Sequence, residues 1–75
     1  MQTRNAELRR EVLETLYRAR EECPSNGWVK IHDLTQAHGP VDFALAILSE
    51  LGQIKRSGFS AQITGAGVIA CEDCE

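Results

Sequence analysis

The chain has 75 residues, of which 43% are hydrophobic and 25% are charged, and its formal net charge is −3. This composition is typical of one small globular domain and excludes a disordered chain. The sequence pI of about 5.3 excludes a global positive field, so any binding to nucleic acid or anionic lipid must depend on a local patch.

The first residues lack the apolar run of a signal peptide, and no stretch approaches the ~20 apolar residues of a membrane span. We therefore expect a cytoplasmic protein with no membrane partner. The three cysteines cannot form a closed set of disulfides, so we expect them to be reduced thiols.

The clearest helix is predicted over residues 5–23, where apolar residues recur every three or four positions. These residues are Leu8, Val12, Leu16, Ala19 and Cys23. Cys23 is most simply a small core residue, and Pro24 begins the turn that ends the helix. Leu13 and Tyr17 widen the apolar stripe and leave room for a second packing partner, so both are candidate interface residues.

The middle of the chain predicts a short strand and two further helices. Residues 28–31 are β-prone and lead into a brief helical segment over residues 32–37. Gly39 can end that segment, and a third helix is predicted over residues 41–51, with Gly52 as its C′ residue. Apolar residues cover much of the circumference of the third helix, which predicts heavy burial.

After the third helix the pattern changes to that of a β-hairpin. A strand begins at Ile54, and residues 57–58 supply the turn. Phe59, Ala61 and Ile63 then alternate with polar residues, which predicts a half-buried second strand.

The last part of the chain is less determined. Residues 65–70 fit either a short final strand or a helix capped by Thr64. Residues 71–75 are acidic and are predicted to fray. We therefore expect a single domain over residues 1–75 with its core at about residues 5–70.

Three short motifs accompany this order of helix, strand, helix, helix and hairpin. Residues 31–34 read Ile-His-Asp-Leu, residues 48–54 read Leu-Ser-Glu-Leu-Gly-Gln-Ile, and residues 63–67 read Ile-Thr-Gly-Ala-Gly. The order and the motifs, which span about residues 8–69, resemble the winged helix-turn-helix DNA-binding domains of small bacterial and archaeal regulators. The resemblance implies an α+β fold with three helices packed on a short antiparallel β-hairpin wing.

The resemblance also implies a winged-helix DNA-binding protein that acts in transcriptional or other DNA-linked regulation, with double-stranded DNA as its partner. The third helix would enter the major groove, and the hairpin would reach the backbone or the minor groove. The outward residues of the third helix are predicted to be Asp42, Ala46, Ser49 and Gln53. Only Gln53 is a usual reader of base edges, and Asp42 and Glu50 would be repelled by phosphates.

The basic residues of the hairpin are the best candidates for phosphate contacts. Lys55 and Arg56 lie beside the turn with Ser57, and Lys30 can extend the patch. An alternative stays open, in which Lys55 and Arg56 only keep an edge strand soluble.

The rival prediction is a protein-interaction or dimerisation module that has the winged-helix fold and does not bind DNA, because a fold does not fix a function. The net negative charge of the chain and the apolar surfaces of the first and third helices favour this interaction module. Phe43 would join Leu13 and Tyr17 in such an interface, with a homodimer or another protein as the partner.

No residue pattern predicts catalysis, a cofactor or a metal. Cys71 and Cys74 have the spacing of half a zinc knuckle, but no second ligand pair accompanies them. His32 and His38 have no adjacent nucleophile. A chain this short is also expected to lack a substrate cleft of roughly 300 Å³. We therefore expect no enzymatic activity and no small-molecule substrate.

Overall fold

Four helices and a three-stranded antiparallel sheet make up the computed structural model, which describes residues 4–73. In chain order the elements are α1 (Arg4–Glu22), β1 (Val29–Lys30), α2 (Ile31–His38), α3 (Asp42–Glu50), β2 (Ile54–Ser57), β3 (Ser60–Ile63) and α4 (Gly65–Asp73). The α+β class is confirmed. The short strand predicted within residues 28–31 is present as β1 and joins the hairpin in one sheet, and α4 is added to the three predicted helices. Within residues 4–73 no helix is both long and apolar enough to cross a membrane.

The core lies between the helices and one face of the sheet. Its buried side chains are Leu8, Val12, Leu13, Leu16, Leu34, Val41, Ala44, Leu45, Leu48, Ile54, Ala61 and Ile63. α1 is the central element, because it contacts α2, α3, α4 and β3. The apolar spacing predicted for the first helix therefore buries Val12 and Leu16 completely.

β3 is the central strand of the sheet, with β1 and β2 at the two edges. The pair Ser57 and Ser60 closes the hairpin, so Gly58 and Phe59 are the two central residues of a tight turn. Gly58 has a φ of 60°, which glycine adopts without strain at this position. The prediction that Phe59 belongs to the half-buried strand is wrong, because the strand begins one residue later and Phe59 is 88% exposed.

α4 resolves the alternative that the sequence left open for residues 65–70. The hydroxyl of Thr64 accepts a hydrogen bond from the backbone N–H of Gly67 at 3.1 Å, as an N-cap does. The helix continues to Asp73, so residues 71–73 form its last turn and are not the frayed tail that was predicted. Residues 74–75 lie outside the described part of the chain.

Cys23 was predicted to belong to the core, and this prediction is wrong. α1 ends at Glu22, and Cys23 lies in the following turn, where it is exposed. The helical periodicity therefore stops one residue before the cysteine. The backbone carbonyl of Cys23 instead accepts hydrogen bonds from the N–H groups of Asn26 and Gly27, at 2.9 and 3.0 Å.

Candidate nucleic-acid interface

The helices leave one face of the sheet open to solvent, and we call it the outer sheet face. Strand alternation and the pairing register place five residues on it. They are Lys30, Lys55, Ser57, Ser60 and Gln62. Lys30, Lys55 and Ser57 are exposed, and Ser60 and Gln62 are half-buried. The neighbouring positions Ala61 and Ile63 point into the core.

Lys30 and Lys55 lie on the two opposite edge strands but on the same face. Lys30 pairs with Ser60 across β1 and β3, and Lys55 pairs with Gln62 across β2 and β3. From the strand spacing and the rise per residue, their Cα atoms are roughly 12 Å apart. Each ammonium group is on a long flexible stem, so the two lysines can reach separate phosphates.

The outer sheet face carries positive charge and no carboxylate. Neither Lys30 nor Lys55 forms an ion pair with any residue in the range 4–73. Residues 51–71 contain Lys55 and Arg56 and no aspartate or glutamate. The positive charge of this region is therefore not neutralised locally, although the whole chain is acidic.

The structure divides the predicted basic patch of the hairpin. Lys55 and Ser57 are on the outer sheet face, but Arg56 pairs with Ala61 and points to the opposite side of the sheet. Arg56 is nevertheless exposed, although its partner Ala61 is buried. The residue that extends the surface around Lys55 is thus Lys30, which comes from a different strand.

Gln53 does not lie on the third helix, where it was predicted to read bases. α3 ends at Glu50, and Gln53 is half-buried in the connection to β2. Its backbone N–H donates to the carbonyl of Leu48 at 3.0 Å, and its own carbonyl accepts from the N–H of Thr64 at 2.9 Å. Gln53 is therefore held as a structural link between α3 and the start of α4.

The exposed surface of α3, which we call the α3 outer face, has the opposite chemistry. Its residues are Asp42, Phe43, Ala46, Ser49, Glu50 and Leu51. Phe43 is 58% exposed and Leu51 is 60% exposed. The face contains two carboxylates and no cation, since α3 has no basic residue. Asp42 is in the first turn of the helix, where a negative charge interacts favourably with the helix dipole.

Of the three candidate interface residues, only Phe43 is largely exposed. Leu13 is 8% exposed and belongs to the core. Tyr17 is half-buried, and its hydroxyl donates a hydrogen bond to Oε2 of Glu72 at 2.8 Å. This hydrogen bond, together with desolvation and the negative charge of Glu72, raises the pKa of Tyr17. The second packing partner expected for the first helix is therefore α4 of the same chain.

An open groove of about 610 Å³ runs between α1 and α4. The expectation that so short a chain lacks a cleft of this size is therefore wrong. The residues lining it include Leu13 and Tyr17 from α1 and Glu72 from α4, together with the ion pair between Arg18 and Glu14 at 2.7 Å. The polar side chains bond in pairs, Tyr17 to Glu72 across the helices and Arg18 to Glu14 along α1, so the groove follows the line where the two helices meet.

The histidines and cysteines are dispersed. Nε2 of His38 lies 2.9 Å from Oγ1 of Thr15, which ties the end of α2 to α1, while His32 is exposed. Among residues 4–73 no group of three or more His, Cys, Asp or Glu side chains could hold a metal ion. Cys74, the second half of the Cys71-x-x-Cys74 spacing, lies outside the described residues.

No protein-family model, curated protein or solved structure matches this chain. Function is therefore inferred from the fold and from the chemistry of the two exposed faces.

Proposed function

We propose that this chain is a winged-helix module that binds double-stranded DNA through its outer sheet face, in transcriptional or other DNA-linked regulation. The observation that carries the proposal is the pair Lys30 and Lys55, exposed on one sheet face that contains no carboxylate. The order of α1, β1, α2, α3 and a β2–β3 hairpin, with β3 central in the sheet, supports the winged-helix assignment.

The charge distribution decides which surface contacts the phosphates. Asp42 and Glu50 on the α3 outer face would repel a phosphate backbone. The outer sheet face offers two ammonium groups and the hydroxyls of Ser57 and Ser60, which are ordinary phosphate ligands. The sheet therefore supplies the contacts in this proposal, and α3 does not read bases.

Binding of this kind is weak and depends little on DNA sequence. Each phosphate contact releases counterions, so the logarithm of the binding constant falls with the logarithm of salt with a slope of about −0.9 per contact. Two lysines therefore predict a slope near −2. The negative charges on α1 affect this little, because α1 lies on the other side of the sheet and exposed charges are screened over about 8 Å at physiological salt.

The test is a salt titration of duplex DNA binding by the intact chain and by the double variant K30A/K55A. We expect the double variant to bind roughly 100-fold more weakly near 0.1 M salt and to lose about 1.8 from the salt slope. The control is R18A on α1, which removes one cation, where the double variant removes two, from a helix packed on the other side of the sheet.

An unchanged slope in K30A/K55A, with R18A also unchanged, would assign the lysines to the alternative role of keeping two edge strands soluble. Circular dichroism of all three proteins establishes that they are folded. A loss of slope in R18A about half as large as that in K30A/K55A would indicate an effect of net charge and not of a surface.

A second candidate function is docking of a protein partner, or of a second copy of the chain, on the α3 outer face. The exposure of Phe43 in the first turn of α3 and of Leu51 just past the end of that helix favours it. Analytical ultracentrifugation of the wild type and of F43S tests the homodimer. F59S is the control, since it removes an exposed phenylalanine from the hairpin. Loss of association in F43S alone would support docking through α3, and a monomeric wild type would exclude a homodimer.

A further inference from the structure

Phe59 is the most exposed large hydrophobic residue among those that the structure describes, at 88%. The core does not require it, since the buried cluster is complete without it. The turn does not require it either, because central turn positions favour glycine, asparagine, aspartate or serine for their backbone properties. An aromatic ring held almost wholly in water therefore calls for another explanation.

The ring is presented on a rigid support. The backbone carbonyl of Phe59 accepts a hydrogen bond from the N–H of Ile31 at 2.8 Å, which ties the turn to the start of α2. The flanking residues Ser57 and Ser60 are paired in the sheet, and Gly58 fixes the turn with its positive φ. The backbone of the turn therefore has little conformational entropy left to lose when the ring makes a contact.

The hairpin that presents Phe59 carries cations and no carboxylate. The next residue, Ser60, pairs with Lys30, and Arg56 precedes the turn on β2. One carboxylate belongs to a neighbouring element, since Asp33 is in the first turn of α2, the helix to which the turn is bonded. An aromatic ring with positive charges beside it complements a ligand that has flat apolar groups on a negatively charged backbone.

We propose that Phe59 stacks on unpaired nucleobases, so that the preferred ligand is DNA with a single-stranded segment. This inference rests on the proposed function, because the same lysines hold the backbone. Bases inside a duplex have both faces covered by their neighbours, whereas bases in a single strand offer a face to an aromatic side chain. An apolar peptide would fit the ring but would gain nothing from the adjacent cations.

The experiment compares single-stranded oligothymidine with a duplex of equal length, by fluorescence anisotropy at one low salt concentration. The variants are F59A, F59L and F59Y, and F43A on α3 is the control for loss of an exposed phenylalanine elsewhere. We expect F59A and F59L to bind the single strand at least about fivefold more weakly, while F59Y and F43A keep the wild-type affinity. Duplex affinity should change less than twofold in all four.

The outcomes separate this inference from the proposed function. If F59A binds both DNAs like the wild type, stacking is wrong but lysine-dependent duplex binding stands. If F59L retains single-strand affinity, the contact is apolar and not a stacking contact. If the wild type binds neither DNA even at low salt, the proposed function fails together with the inference. Self-association that disappears in F59A, with single-strand affinity unchanged, would assign Phe59 to a protein contact.

Discussion

The α3 outer face and the outer sheet face are both exposed, yet their chemistry is opposite. The α3 outer face has Phe43 and Leu51 with two carboxylates, and the outer sheet face has Lys30 and Lys55 with hydroxyl and amide groups. In the predicted family the helix is the element that reads DNA and the hairpin assists it. A shared order of elements therefore does not determine which surface can approach phosphate, because surface charge varies independently of the core.

The two faces also have different structural reasons for their residues. Asp42 stabilises the N-terminus of α3, where no side chain caps the helix, so its charge serves the fold as well as the surface. Lys30 and Lys55 are on edge strands, where charge prevents association with other strands. The difference between the two faces is therefore tested by variants that change DNA affinity and the free energy of unfolding separately.

The largest effect on the free energy of unfolding is expected at the connection between α3 and β2, which joins the two faces. Gln53 connects α3 to β2, and Gly67 of α4 packs directly on the carbonyl of Gln53. A Cβ atom at position 67 would collide with that carbonyl and would lie 2.7 Å from Cγ1 of Ile63. We expect G67A to lower the free energy of unfolding by about 1–3 kcal/mol, measured by urea denaturation.

G65A is the matched control for this variant, because it makes the same change two residues earlier in the same helix. A Cβ atom at Gly65 meets no atom within 4 Å, so we expect no loss and a gain of up to about 1 kcal/mol from helix propensity. Equal stabilities for G67A and G65A would show that the link between α4 and Gln53 does not hold the two faces together.

The sequence could predict most of the fold, because apolar periodicity is a local signal. The spacing of Val12 and Leu16 indicated α1, and the alternation of Ala61 and Ile63 indicated β3. Periodicity is weaker at the ends of elements, which explains the misplaced Cys23 and Phe59. A short segment with two glycines such as residues 65–70 has no clear period, so the Thr64 cap left the choice open and the contacts of α4 with α1 and β3 add what the local sequence lacks.

The candidate site was less predictable, because its residues come together only through strand register. Lys30 and Lys55 were both named from the sequence, but Arg56 could not be assigned to a face without the pairing to Ala61. A shift of one residue in that pairing would place Arg56 on the outer sheet face and Lys55 on the opposite face. The exposure of Phe59 had the same origin, since it follows from which two residues form the turn.

A smaller effect is expected from Tyr17, which lies on neither of the two faces. Its raised pKa means that the folded chain favours the protonated hydroxyl that donates to Glu72. The stabilisation is therefore complete below the usual pKa of 10.0 and is lost as the pH rises through the raised value. We expect Y17F to lower Tm by less than about 4 °C near neutral pH, and we expect this difference to shrink above about pH 10.

Thermal melts of the wild type and Y17F from about pH 8 to about pH 11 measure this difference in Tm. The other groups titrate in both proteins, so their effect cancels in the difference. DNA affinity and self-association should be the same in both, because α1 and α4 contribute no residue to either face. A difference in Tm that grows with pH would contradict the assignment of the hydrogen bond. A loss of DNA affinity would show that the outer sheet face depends on α4.

The smallest effect is expected for the variant that tests most directly which of the two faces contacts DNA. D42N/E50Q removes both carboxylates from the α3 outer face with almost no change in shape. If DNA contacts only the outer sheet face, the screening of exposed charges limits the gain in duplex affinity to less than about threefold at physiological salt. If α3 enters the groove, two repulsive groups next to phosphates are lost, and affinity should rise by tenfold or more. Such a rise would assign the contact surface to α3, and a small change together with the loss in K30A/K55A would assign it to the sheet.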